Sequence, residues 1–155
     1  MKMKKRIFFF TLCFLLVFSL SVKAGPFGST LKPYEELRPG QFLKSQSMNN
    51  EYILILQNDG NLVLYRKNKY SGNQQVLWAS WTQGKPVERA VLQNDGNFVV
   101  YGRGKNNENV AFWNSGTQGK GANILIMQND GNLVIYAPYK SGQMVAVWNT
   151  GTHEK

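Results

Sequence analysis

Residues 57–65 read QNDGNLVLY, and nearly the same nine residues return at 93–101 as QNDGNFVVY and at 128–136 as QNDGNLVIY. The copies begin 36 and then 35 residues apart. Self-similarity at a fixed period of this size is the signature of a repeat architecture, in which each unit buries its apolar face against its neighbours. The sequence therefore predicts three copies of one supersecondary unit.

Each copy predicts a β-hairpin with an Asp-Gly pair at its tip. An apolar stretch precedes every copy, at 52–56, 90–92 and 124–127. Asp-Gly between two apolar runs is a strong hairpin signal, because Gly accepts a positive φ and Asp can hydrogen-bond its own turn. Along the second strand the side chains alternate, so Leu62 and Leu64 are expected to face the interior. A sustained 3.6-residue apolar period is missing from the sequence after residue 24, which predicts almost no helix.

A tryptophan element closes each copy 12 or 13 residues after its last tyrosine, at Trp78, Trp113 and Trp148. The polar segments 67–75, 102–109 and 138–143 are interpreted as loops that lead to these elements. Because tryptophan buries a large area, the three rings are expected to meet in a core near a threefold axis, with sugar stacking as the alternative. Three units are too few for a propeller but suit a prism of sheets or a trefoil.

The first residues differ from the rest. Lys2, Lys4, Lys5 and Arg6 form a basic cluster, residues 7–20 are almost entirely apolar, and Ala24 ends the segment with a small side chain. This is the layout of a secretory signal peptide at 1–24. The alternative, a retained anchor, is disfavoured because fourteen residues span about 21 Å of a roughly 30 Å hydrocarbon core. The expected product is secreted, either extracellular or, in a bacterium, periplasmic. It has no stable membrane insertion after cleavage and starts with a flexible extension at 25–36.

Composition excludes several classes of function. Removing residues 1–24 takes away the one cysteine and five basic residues, so the formal net charge falls from +9 to +4. Disulfide scaffolds and cysteine-based zinc sites are therefore excluded, and the scattered basic residues do not predict nucleic-acid binding. The repeated aspartates lie in separate units rather than as a catalytic carboxylate pair, and His153 stands alone in the tail. We expect no enzyme, no metal and no cofactor.

The polar residues of each hairpin suit a ligand with neighbouring hydroxyl groups. Asp accepts hydrogen bonds, Asn and Gln both donate and accept, and the Tyr hydroxyl does either. Valine adds an apolar contact for the C–H groups of a sugar ring. The alternative, that Asp-Gly-Asn only forms the turn, does not explain why Gln, Val and Tyr recur at the same offsets.

The pattern Gln-x-Asp-x-Asn-x-Val-x-Tyr resembles the mannose-binding motif of the bulb-type (monocot, snowdrop-like) lectins, or B-lectin domains. The match is complete in all three copies, and the repeats cover residues 37–152. The resemblance implies an all-β, β-prism II fold of three four-stranded antiparallel sheets with pseudo-threefold symmetry. It also implies metal-independent binding of mannose or mannose-rich glycans and glycoconjugates at up to three sites. Homodimer formation is left open, and a bacteriocin-like or defence role on the same fold is the alternative function.

The family's site roles carry over by position. Gln57, Gln93 and Gln128 would bond O3 of mannose. Asp59, Asp95 and Asp130 would bond O2, together with Asn61, Asn97 and Asn132. Tyr65, Tyr101 and Tyr136 would bond O4, and Val63, Val99 and Val134 would contact ring carbons. The sequence departs from plant members at Gly60, where they commonly carry a disulfide-bonded cysteine.

Overall fold

A computed structural model describes residues 28–154, so the predicted signal peptide at 1–24 lies outside the described residues. This part of the chain forms twelve β-strands and one 3-10 turn at Lys140–Gly142. The strands are β1 Thr30–Leu31, β2 Glu36–Leu37, β3 Phe42–Gln46, β4 Asn50–Leu56, β5 Leu62–Asn68, β6 Gln74–Ala79, β7 Val87–Leu92, β8 Phe98–Arg103, β9 Asn109–Asn114, β10 Ile124–Met127, β11 Leu133–Pro138 and β12 Met144–Asn149. The all-β prediction is confirmed. Over residues 28–154, no helix is both long enough and apolar enough to cross a membrane.

The strands form three four-stranded antiparallel sheets, one for each repeat. The first sheet has the order β3-β4-β5-β6, the second β2-β7-β8-β9 and the third β1-β10-β11-β12. Each repeat supplies the last three strands of its own sheet, and the segment 30–46 supplies the first strand of all three. The architecture is therefore the threefold prism of sheets that the resemblance implied.

The N-terminal segment is part of this fold. Leu31, Leu37 and Leu43 recur every six residues, and all three are fully buried. Strand β1 pairs with β10, and β2 pairs with β7. The expectation of a flexible extension at 25–36 is therefore wrong for its described part, because these two short strands complete the third and second sheets.

The three tryptophans meet where the sheets come together. Trp78 and Trp113 have ring centroids 5.1 Å apart, Trp113 and Trp148 5.7 Å, and Trp78 and Trp148 6.0 Å, all edge to face. Such geometry is favourable for aromatic pairs. The rings are partly buried against a core that includes fully buried Leu62 and Leu64. The predicted tryptophan cluster and the predicted inward leucine face are both confirmed.

The hairpins form as predicted, but their outer ends are longer than the sequence suggested. Strand β5 continues to Asn68 and β6 begins at Gln74, because Lys67 still pairs with Gln74 across the two strands. The loop therefore covers 69–73 rather than 67–75. The corresponding loops of the second and third repeats cover 104–108 and 139–143. Their polar composition predicts loops at these strand ends. Backbone pairing, which composition does not reveal, extends the strands into the polar residues.

Candidate functional site

Each motif turn is closed by the same three hydrogen bonds. In the first copy the Gln57 N–H donates to the Asn61 carbonyl at 2.8 Å, and the Gly60 N–H donates to the Gln57 carbonyl at 3.1 Å. The Asp59 Oδ1 accepts the Asn61 N–H at 2.9 Å. Gly60 has φ 88°, which a residue with a side chain adopts only at a cost. The equivalent bonds of the other two copies measure 2.8 to 3.0 Å and 2.9 to 3.1 Å.

The glutamine and tyrosine of each motif are brought together across the hairpin. The Gln57 Nε2 donates to the Tyr65 hydroxyl at 2.9 Å. The same bond measures 3.1 Å between Gln93 and Tyr101, and 2.8 Å between Gln128 and Tyr136. This arrangement leaves the glutamine Oε1 as an acceptor and the tyrosine O–H as a donor toward solvent.

The motif asparagine is held from behind by two hydroxyl residues that follow the tryptophan. The Asn61 Oδ1 accepts hydrogen bonds from the Ser80 Oγ and from the Thr82 N–H, each at 3.2 Å. The two hydroxyl oxygens lie 2.7 Å apart, and the Thr82 Oγ1 donates to the Gly60 carbonyl at 2.7 Å. The same network joins Ser115 and Thr117 to Asn97, and Thr150 and Thr152 to Asn132.

These hydroxyl pairs were missed in the sequence analysis, although a signal for them exists. Each of the three clustered tryptophans is followed by Ser or Thr at its second position and by Thr at its fourth, in the segments 78–82, 113–117 and 148–152. The tryptophan in each of these segments predicts a strand that packs in the core, and this prediction gives no role to the hydroxyl residues that follow it. The recurring hydroxyl-x-Thr pattern is the part of the repeat that reaches the motif turn.

The polar groups that these bonds leave unused in each cluster include both hydrogen-bond acceptors and donors. Among residues 28–154, none donates to the Asp59 Oδ2 or to the Gln57 Oε1, and none accepts from the Asn61 Nδ2. With the hydroxyl of Tyr65, each hairpin presents two acceptors and two donors. Asp59 is exposed and the other three side chains are half-buried. A group of adjacent hydroxyls, each able to donate and accept, matches this set.

The motif valines lie on the polar face of each hairpin, but they are more buried than expected. Val63 is 3% exposed, Val99 1% and Val134 2%. Val63 is covered by its neighbours across the sheet, Ile55 and Ala79. The valines therefore form a narrow floor to the cluster, and only a small part of each is open to a ligand.

The structure brings together the five predicted residues of each copy and places the three clusters on three different sheets. The three aspartates thus belong to separate sites. Within residues 28–154, no group of three or more His, Cys, Asp or Glu side chains could hold a metal ion.

Several known proteins that are similar to this chain in sequence or structure are lectins. No family model matches the chain. A lectin from Marasmius oreades is 35% identical, with a TM-score of 0.61 over 83% of this chain and 95% of that chain. The mannose-specific bulb lectin of Scilla campanulata (bluebell) is 30% identical, with a TM-score of 0.57 over 75% of this chain and 98% of its own. A mannose-specific lectin of Dendrobium findlayanum is 44% identical over 59 residues, which are 38% of this chain.

The last match spans only about a third of the Dendrobium protein, 33% of its length. The two solved structures, in contrast, are matched over nearly their whole length, and both are lectins rather than enzymes. Three sheets with the same hairpin cluster, together with these relatives, lead to one assignment: the chain belongs to the bulb-type lectin family of non-enzymatic, carbohydrate-binding β-prism II proteins.

Proposed function

We propose that the protein binds mannose residues of glycans, one in each of its three hairpins, without a metal ion. The observation that carries this proposal is the repeated cluster: the same four polar side chains, with the same internal bonds, occur on all three sheets. The mannose-specific Scilla and Dendrobium relatives support mannose as the sugar.

The unused groups suit a pyranose with three adjacent hydroxyls. In the first hairpin the Gln57 Oε1 would accept from O3, and the Tyr65 hydroxyl would donate to O4. The Asp59 Oδ2 and the Asn61 Nδ2 would share O2, one accepting its proton and the other donating to its lone pair. Glucose carries O2 in the equatorial position, so it would leave these two groups unpaired at a cost of about 1–3 kcal/mol per group.

The hydroxyl network would preorganise this cluster for sugar binding. Ser80 and Thr82 fix the carbonyl end of the Asn61 amide, so its NH₂ group already faces outward. A side chain that is ordered before binding does not lose about 0.5–1.5 kcal/mol of rotamer freedom when the ligand arrives.

Each site alone is expected to be weak, because a monosaccharide makes few contacts with an open cluster. Dissociation constants near millimolar correspond to only about 4 kcal/mol of binding free energy. Three sites on one chain raise the effective concentration for a branched ligand. We therefore propose mannose-rich, multivalent glycans as the natural partners.

Calorimetric titration with methyl α-mannoside tests the proposal on protein that begins at Gly25. We expect about three sugars per chain, unchanged binding in EDTA, and weaker binding of methyl α-glucoside. Gln57→Ala should lower the stoichiometry by one, whereas Ser71→Ala, a change at an exposed position in the loop 69–73, should leave it at three. Loss of binding in EDTA, or the same stoichiometry in Gln57→Ala, would contradict the proposal.

We further propose that the protein is secreted, a proposal that rests on the basic and apolar pattern of residues 1–24. Expression of the full chain in a secreting host, followed by intact-mass measurement of the medium, tests it. We expect a product that begins at Gly25. Full-length chain retained in the membrane fraction would contradict secretion.

A further inference from the structure

The three hairpins share one cluster, but the second has different surroundings. It lies in an open cavity of about 440 Å³ that contains its motif residues Gln93, Asp95 and Tyr101. Tyr34, Arg89 and Asn109, all outside the motif, line the same cavity. Pockets of about 300–1,000 Å³ are typical of small-molecule sites. The cavity therefore extends beyond the groups that a single hexose would use.

Tyr34 occupies a backbone position that is glycine in the other two sheets. The residues Gly28, Tyr34 and Gly40 stand two positions before strands β1, β2 and β3, and their φ angles are 62°, 71° and 86°. The Tyr34 N–H donates to the Leu92 carbonyl at 2.8 Å, as the Gly40 N–H does to the Leu56 carbonyl at 2.7 Å.

A tyrosine with positive φ is strained, and burial does not compensate here because the Tyr34 side chain is 73% exposed. Its hydrogen bond to Leu92 fixes it beside Gln93, at the rim of the second site. Strain at an exposed aromatic residue beside a binding cluster points to contact with a ligand.

Arg89 is a second residue that distinguishes this site. The residue paired with the motif tyrosine across the hairpin is Ile53 in the first sheet and Ile124 in the third, but Arg89 in the second. Its guanidinium carbon lies 5.0 Å from the centre of the Tyr101 ring, and its Nη2 donates to the Asn109 Oδ1 at 3.2 Å.

Arg89 belongs to a charged group in which three arginines share two glutamates. Carboxylate oxygens of Glu36 and Glu88 lie 3.7 and 3.8 Å from the Arg89 nitrogens. Glu36 pairs more closely with Arg38, at 2.7 Å, and Glu88 pairs more closely with Arg103, at 3.1 Å. A guanidinium has five N–H donors, so Arg89 can still bond ligand groups in the cavity. Because the adjoining motif cluster suits hydroxyl groups, the hydroxyls of a second sugar ring are the expected acceptors.

We propose that the second hairpin is an extended site for an oligosaccharide, whereas the third takes a single mannose. The first hairpin is left out of this comparison because Trp81 beside it, at φ 59° and 75% exposed, also stands where the other two repeats have glycine. This inference rests on the proposed function, since the motif would hold one mannose. The next sugar ring would lie against the Tyr34 ring, and its hydroxyls would bond Arg89 and Asn109. Tyr34 is thus a specificity-determining residue of the second site.

Two proteins with one remaining site each test the proposal. Gln57→Ala with Gln128→Ala leaves the second site, and Gln57→Ala with Gln93→Ala leaves the third. Each is titrated with methyl α-mannoside and with a panel of α-linked methyl dimannosides. For the best dimannoside in the second-site protein we expect affinity about fivefold above that of the monosaccharide, the size of one good aromatic contact. For the third-site protein we expect no more than the statistical gain from having two mannose rings in each ligand.

Tyr34→Gly, introduced in the second-site protein, should lower this ratio to that of the third site. The change relieves a strained backbone, so loss of folding is not expected. Arg89→Ile should also lower the ratio, while Tyr70→Ala, which removes an exposed tyrosine in the loop 69–73, should not change it.

Three results would overturn the inference. These are equal ratios in the two single-site proteins, an unchanged ratio in Tyr34→Gly, and tighter binding of a mannose phosphate than of any dimannoside. In each case monosaccharide binding would persist, so the proposed function would survive. Absence of methyl α-mannoside binding in both single-site proteins would overturn the proposed function and this inference together.

Discussion

Replacing Ser115 by alanine removes one oxygen from behind the second hairpin, and it should affect both stability and binding. The Ser115 Oγ accepts the Phe98 N–H at 3.0 Å and donates to the Asn97 Oδ1 at 3.1 Å. It also lies 2.7 Å from the Thr117 Oγ1. Phe98 is fully buried, so in the variant its N–H has no replacement partner among these groups.

Leaving a buried N–H without a partner costs about 1–3 kcal/mol. We therefore expect the free energy of unfolding to fall by roughly 2 kcal/mol. Thr117 still donates its N–H to Asn97 at 3.2 Å, so the amide is loosened rather than released. Affinity of the second site for methyl α-mannoside should fall about fivefold, which corresponds to roughly 1 kcal/mol.

Urea unfolding followed by tryptophan fluorescence measures the first effect, because three of the four tryptophans form one cluster that disperses on unfolding. Ser71→Ala is the matched control, since Ser71 is exposed in the loop 69–73 and its loss should change stability by less than about 0.5 kcal/mol. Equal midpoints for Ser115→Ala and Ser71→Ala would refute the structural role assigned to the hydroxyl network.

Three further predictions probe the fold. Trp113→Ala should lower the free energy of unfolding by about 3–5 kcal/mol. The loss should exceed that of Trp148→Ala, because the Trp113 ring contacts two tryptophans and a phenylalanine whereas the Trp148 ring contacts two tryptophans. Equal losses in urea unfolding would contradict this order. Gly131→Ala should lower the free energy of unfolding, measured by thermal unfolding, by about 3 kcal/mol, because a Cβ would lie 2.6 Å from the buried Tyr52 ring. Gly119 also has a positive φ but lies in open space, so Gly119→Ala should lower it by about 1 kcal/mol. Tyr52→Phe should raise stability by about 1 kcal/mol, because its buried hydroxyl makes no well-formed hydrogen bond within residues 28–154, although the side chains of Ser47, Asn50 and Glu154 lie near it. A loss of similar size would show that one of these three side chains is its partner.

The sequence predicted what repeats three times. Hairpin tips, inward leucines and the tryptophan cluster all follow from a pattern that occurs at fixed offsets. An assignment made for one copy of the repeat could therefore be checked against the other two copies. The alternation also placed Val63 on the same face as Asn61 and Tyr65. It could not show that Val63 is 3% exposed, because that depends on neighbours across the sheet, Ile55 and Ala79.

Apart from the recurring hydroxyl pairs, the features that were missed are short or unique. Strands β1 and β2 have two residues each, too few to show an alternation, and only their pairing with β10 and β7 reveals them. Tyr34 and Arg89 differ from their counterparts in the other sheets, but the counterparts are known only once the strand register is known. A repeat thus predicts what its copies share more readily than how they differ.

A crystal structure with methyl α-mannoside is the most direct measurement of whether the hairpins are sugar sites. We expect one pyranose in each hairpin, with O2, O3 and O4 within hydrogen-bond distance of the motif Asp and Asn, Gln and Tyr, respectively, and no metal ion between them. Empty hairpins at saturating sugar, or a sugar bound elsewhere on the prism, would contradict the proposed function.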